Sequence, residues 1–192
     1  MSGVDAAVVR FLNAGVGKFP PFDMVMEALV SDYLVPVAGS LALVGLWFYG
    51  DAASRPLNQA TTMAAVAAIG IANFATAVID DVVDRARPFV DHDLNLLFYP
   101  PTDPSFPSNA AAAGFALATP VFLRRRGLGA ALFLLAFLWG FARVYAGVHY
   151  PGDVLAGAAI GAASGVLAAG AFAAGSVIVR FILRLMRFVY AA

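Results

Sequence analysis

The 192-residue chain contains no cysteine, which excludes a disulfide framework, a thiol nucleophile and thiolate metal ligands. Histidine is nearly absent as well: His92 and His149 are too few for a histidine-built metal centre. Charge is scarce, since Asp, Glu, Lys and Arg together make up 12% of the residues, about half of what a soluble domain carries. With 61% hydrophobic residues and a mean hydropathy of +0.83, too little polar surface remains to coat a water-exposed globule of this size. The chain therefore belongs in a membrane, and its expected partner is the phospholipid bilayer. The 12 basic and 12 acidic residues cancel, and no basic run of the nucleic-acid-binding kind occurs, so no nucleic-acid partner is expected.

What the chain has instead is a series of five windows without a charged residue, at 33–49, 57–79, 107–123, 127–142 and 154–179. Each approaches the roughly 17 to 25 residues that a bilayer-crossing helix needs. The predicted fold class is an all-α polytopic membrane bundle of about five to six transmembrane helices plus an N-terminal interfacial helix. It forms a single domain, with 1–32 as the interfacial region and 33–192 as the bundle. Gly and Ala are abundant, above all over 161–175, and small residues let helix backbones approach closely in lipid. Five buried helices of a soluble bundle would need polar outer faces, which these windows lack.

The first thirty residues follow another pattern. Val4, Ala7, Val8, Phe11 and Leu12 recur at helical spacing while Asp5, Arg10 and Asn13 fall elsewhere, which predicts an amphipathic helix lying in the interface. Gly15, Gly17, Pro20 and Pro21 break it, and Asp23 is placed to cap a second short helix through Val30. The spacing leaves open whether 23–49 is one long tilted helix. A signal peptide is not expected, because no basic segment precedes an unbroken apolar core.

The cancelling charges separate by side. Alternating spans put Arg55, Arg124, Arg125, Arg126, Arg180, Arg184 and Arg187 on one face with a single acid, Asp51. Arg10, Lys18, Arg85, Arg87 and Arg143 share the other face with the remaining acidic residues. Lys and Arg mark the cytoplasmic side, so the acidic face is expected outside. Arg124 to Arg126 serve that topological signal, and Arg180, Arg184 and Arg187 form one basic helix face suited to anionic headgroups.

Three polar clusters converge on the outer side across long apolar stretches: 84–89, 105–110 and 143–153. Arg87 and Arg143 are permanent cations whose guanidinium forks match phosphate oxygens. Ser108 opens a helix whose free N–H groups favour an anion. His149 can act as a nucleophile or a proton carrier near neutral pH, and Asp153, four residues on, is placed to accept its other ring N–H and fix the tautomer. Taken singly, an Arg at a span end is an anchor, Pro-Ser before an apolar run is a cap, and His-x3-Asp is a structural hydrogen bond. Taken together at the ends of uncharged spans, they describe phosphoryl transfer through a phosphohistidine.

Arg87-Pro88, Pro107-Ser108 and Arg143-x5-His149-x3-Asp153 resemble, in order and spacing, the three-part signature of the type 2 phosphatidate phosphatase superfamily. That all-helical group also holds acid phosphatases and vanadium haloperoxidases. The resemblance covers 80–153 and implies that Arg87, Ser108 and Arg143 hold the phosphate, with Pro107, Asn109 and Arg85 beside them. It further implies that His149 attacks phosphorus, that Asp153 orients it, and that no metal or other cofactor is needed. Within the family, the Arg-x-Arg-Pro-Phe wording and Ser105-Phe106-Pro107-Ser108 are most similar to bacterial undecaprenyl diphosphate phosphatases. These hydrolyse a lipid-carried diphosphate at the outer face of the plasma membrane. Phosphatidate, phosphatidylglycerol phosphate and lipid A phosphates present the same group to the same residues, and a non-catalytic lipid-phosphate binder is a further reading.

Two departures bear on activity. Asp80 stands where the pattern has its first lysine, with Arg85 a candidate replacement. Ala110 stands at the motif histidine, which in the family protonates the leaving oxygen and helps activate water; a methyl group does neither. His92, in an acidic loop, reads as a solvated loop residue before it reads as a substitute acid. A positioned general acid or base is worth about 10²–10⁴-fold in rate, so the chain as it stands is expected to be a poor catalyst. Because the other phosphate-contacting positions of the second and third motifs are intact, it reads as an inactivated version of a working enzyme.

Overall fold

The computed structural model describes residues 3–174. Among them it contains eight helices and no strand: α1 (Gly3–Asn13), α2 (Pro20–Val30), α3 (Leu34–Phe48), α4 (Arg55–Val83), α5 (Pro88–Asp91), α6 (Asn109–Arg124), α7 (Arg126–Tyr145) and α8 (Pro151–Ala174). The predicted end of the last span at 179 and the basic face of Arg180, Arg184 and Arg187 lie outside the described residues.

Within the described residues all five apolar windows are largely helical, but they differ in reach. The helical stretch Arg55–Asp91, α7 and α8 are long and apolar enough to cross a membrane, and α2 with α3 adds a fourth crossing if that bent pair is one span. The two helices meet at 58°, so 23–49 is not a single straight helix. With 15 and 16 residues, α3 and α6 extend only about 24 Å, against a hydrocarbon core of about 30 Å. The N-terminus of α6 is fixed by Ser108, which is extended (φ −68°, ψ 109°) and accepts a hydrogen bond from Ala111 N, so Pro107 and Ser108 precede the helix.

Small residues bring α8 against α6. Gly157, Gly161 and Gly165 recur every fourth position, and a Cβ on the first two would strike the Ser108 and Ala112 carbonyls; on the third it would strike Thr119. Backbone therefore lies on backbone, the arrangement that maximises dispersion contacts where no water drives association. Ala64, Ala68 and Ala72 of α4 close the same layer against Ala112, Ala116 and Ala168. On the opposite flank, Met26, Leu29, Val30 and Val35 of the α2–α3 pair pack on Trp139, Ala142 and Tyr145 of α7. This packing gathers the C-terminal ends of α4 and α7 and the N-terminal ends of α6 and α8 at one end of the bundle.

The expected amphipathic helix forms as α1, with Val4 and Phe11 exposed at 70% and 80% while Val9 and Asn13 are buried against the protein. Val4, Ala7, Val8 and Phe11 of the apolar face read from the sequence stay exposed, whereas Leu12 packs beside Val9 against the protein. Asn13 donates to the Asn95 and Tyr145 carbonyls, tying α1 to the end of α7. Asp23 does not cap α2. The helix opens earlier, at Pro20, and the carboxylate instead accepts from Gly17 N at 2.8 Å and Tyr145 OH at 2.6 Å.

Candidate active site

The gathered ends enclose a cavity of about 240 Å³ lined by Arg87, Arg143, His149, Asn109, Ala110 and Trp139, among others. Each arrives by a local device. The left-handed backbone of Asp84 (φ +38°), a conformation Asp tolerates better than most residues, ends α4 and turns the chain toward Arg87. Arg143 projects from the last turn of α7, and Gly147 (φ +80°) closes the turn that returns His149 to the same end.

Arg87 is buried and all its donors are engaged. Nε donates to the Asp103 carbonyl and one NH1 hydrogen to the Val148 carbonyl, each at 2.8 Å. The other NH1 position faces His149 Nε2 at 3.2 Å, while NH2 meets the Pro104 carbonyl and the Asp103 carboxylate, the latter at 3.0 Å. Arg143 is different. Its NH2 donates to Asp32 at 2.6 Å, its guanidinium lies over Phe98, and its Nε is buried without a partner. Trp139, which also lines the cavity, likewise carries a buried indole N–H without a partner. Two guanidiniums line one cavity, a setting for an oxyanion, and two unpartnered buried donors lie on residues of its wall.

The imidazole of His149 is fixed from behind. Its Nδ1 lies 2.9 Å from the Ser105 carbonyl, which can only accept, so Nδ1 carries the proton and the Nε2 lone pair faces Arg87. Burial disfavours the charged ring, and Arg87 and Arg143 disfavour it further, against the opposing effect of Asp153; the net result lies below the ordinary histidine range. A neutral imidazole with an unprotonated Nε2 is the nucleophilic form; here that lone pair accepts a hydrogen bond from Arg87, which an attacking Nε2 must give up.

Asp153 is not the direct partner of the ring. Its carboxylate is 3.8 Å from Nδ1 and fully buried, and it accepts instead from Ser105 Oγ, Tyr150 N (2.8 Å) and Arg85 NH1. With Pro151 opening α8, Asp153 falls in the first turn and folds back on its own chain, which leaves the Ser105 carbonyl nearer the ring. Arg85 does not line the cavity: its guanidinium lies over Tyr150 and pairs with Asp153 and with Asp5 of α1, so it does not replace the missing lysine there. Ser108 is fully buried and spends its Oγ on capping α6, while Pro107, Asn109 and Ala110 reach the cavity wall. Asn109 accepts from Thr76 OH at 3.1 Å, and the Ala110 methyl occupies the position of the motif histidine. His92 stands outside the cavity, edge-on to Tyr150.

Sequence reasoning missed Asp32, Asp103, Tyr99 and Trp139. Asp32 sits in the break between α2 and α3, where it accepts from both Arg143 and Tyr99 OH. The acidic excess of the outer loops was the available signal, but it did not say which carboxylates turn inward.

Helical packing that gathers basic and imidazole groups at one end of an apolar bundle defines a class of membrane phosphatases. The chain belongs to the PAP2 superfamily, whose model matches residues 61–176. It is 32% identical over 126 residues to the undecaprenyl-diphosphatase BcrC of Bacillus subtilis (strain 168), covering 66% of this chain and 63% of that one. It is 33% identical over 148 residues to a lipid A 1-phosphatase of Rhizobium johnstonii, covering 67% and 59%. The chain thus spans about three fifths of the length of these relatives. The crystal structure of Aquifex aeolicus LpxE superposes with a TM-score of 0.67 at 29% identity, covering 84% of this chain and 92% of that one. Phosphatases of this family are hydrolases that act on lipid phosphates, and this chain is a multi-pass membrane protein.

Proposed function

We propose that the chain is built as an isoprenyl diphosphate phosphatase, undecaprenyl diphosphate being the favoured substrate, with its turnover impaired by Ala110. The observation that carries this reading is the placement of His149 Nε2, unprotonated, 3.2 Å from Arg87 in the cavity that Arg143 also lines. The terminal phosphate binds between the two guanidiniums, taking over Arg87 and Arg143 donors now held by Asp103 and Asp32. Nε2 attacks the terminal phosphorus, the bond to the bridging oxygen breaks, and the lipid monophosphate leaves. Water then attacks the phosphohistidine, releasing inorganic phosphate and the free imidazole.

The charge asymmetry of the loops supports an extracytoplasmic site. Ala110 bears on the choice of substrate: a lipid phosphate is a far less basic leaving group than an alkoxide, so diphosphate cleavage depends less on a general acid. The similarity to a lipid A 1-phosphatase supports a second reading, a phosphomonoester or diphosphate carried on a saccharide lipid. Phosphate release by the Ala110→His variant from isoprenyl diphosphate, phosphatidate and lipid A separates the readings. Preference for isoprenyl diphosphate is expected, and preference for either other lipid overturns the choice.

A further inference from the structure

The opposite end of the bundle holds a second polar-rimmed cavity, of about 710 Å³, where the C-terminal part of α3 faces the α6–α7 turn. Its rim is Arg124, Arg125 and Arg126 with Tyr49; its wall is Ala42, Leu46 and Leu128. The proposed phosphatase chemistry makes no use of it. We propose that this cavity binds an anionic glycerophospholipid of the surrounding bilayer, with the phosphate on the guanidiniums and an acyl chain along the apolar wall.

Three observations carry the proposal. First, the arginines are unneutralised: among the described residues none of the three forms an ion pair, whereas Arg85, Arg87 and Arg143 at the other end are all paired with carboxylates. Asp51, the one acidic residue assigned to this end, is engaged with Ser54, and 175–192 contain no acidic side chain. Second, two guanidiniums are held in place. Arg125 lies 5.0 Å from the Tyr49 ring centre and donates to Asn58 Oδ1, and Arg126 lies 4.8 Å from the Phe122 ring centre. Third, cationic rim and apolar wall are continuous in one cavity, which matches an amphiphile rather than a free anion. Basic pockets between membrane helices take up anionic headgroups in this manner.

The binding test needs no catalysis, so it stands or falls separately from the proposed reaction. The full chain in detergent is equilibrated with phosphatidylglycerol or phosphatidylcholine, and retained lipid is counted by native mass spectrometry. Each cation near the headgroup contributes about fivefold, so the intact chain should prefer phosphatidylglycerol, and Arg124→Gln with Arg126→Gln should cut that preference by about 25-fold. Arg125, bonded to Asn58, is left in place to keep the turn intact. Gly45→Leu, on the wall where a Cβ meets nothing within 4 Å, should weaken lipid retention with all three arginines present. Equal retention of the two lipids by the intact chain, a preference undiminished by Arg124→Gln with Arg126→Gln, retention unchanged by Gly45→Leu, or displacement of the lipid by millimolar inorganic phosphate would each overturn the proposal.

Discussion

The ring of His149 is held by the backbone of Ser105: Nδ1 lies 2.9 Å from that carbonyl, while the Asp153 carboxylate stands 3.8 Å away. The tautomer is therefore set by a main-chain oxygen that no side-chain substitution removes. Asp153 acts one step back, holding Ser105 Oγ, Tyr150 N and Arg85 in register.

This arrangement separates two effects of Asp153→Asn that direct ring contact would merge. The imidazole should keep its Nδ1–H form in nitrogen NMR shifts, while thermal unfolding reports a loss of about 3 kcal/mol from the weakened charge-assisted bonds of a buried carboxylate. An Nε2–H tautomer in that variant would show that Asp153, not Ser105, orients the ring.

In the proposed function Asp32 competes with the phosphate for Arg143, because its carboxylate already accepts from that guanidinium at 2.6 Å. Asp32 is 44% exposed, so water and salt soften the competition. Asp32→Asn should tighten binding of inorganic phosphate by about two- to fivefold in titration calorimetry. Weaker binding would mean that Asp32 instead positions Arg143 productively.

The downward shift of His149 sets the sign of a pH dependence. The unfolded chain takes up a proton near the ordinary histidine value of 6.5, and the folded chain resists it until lower pH. Stability should therefore fall as pH drops below about 6.5 toward the folded-state value, and be unaffected by this group above it. His149→Gln should flatten that segment of the thermal-stability profile; an unchanged slope would show that the ring is not held neutral.

Much of the site was legible because its residues sit where uncharged helices end, and an ionisable group there stands out. Arg87, Arg143, His149 and Ala110 all reach one cavity from positions 87 to 149, as the spacing predicted. The fold's long helices were legible for the same reason, and the Gly and Ala richness over 161–175 announced close packing, though not that Gly157, Gly161 and Gly165 seat α8 on α6. Partners were not. Arg85 is bound by Asp5, eighty positions away, and Arg143 by Asp32, more than a hundred away. Such pairings depend on how α1 and the α2–α3 break fold over the bundle end, and amphipathic periodicity carries no information about that. Trp139 escaped notice because an apolar window hides an indole donor among core residues.

The central claim is that His149 is the nucleophile of a phosphatase impaired at position 110. It is tested most directly by phosphate release from undecaprenyl diphosphate by three chains: the protein as it stands, Ala110→His, and Ala110→His with His149→Ala. Restoring the histidine should raise release at least about tenfold, and removing His149 should abolish it. Release that persists without His149 would contradict the claim.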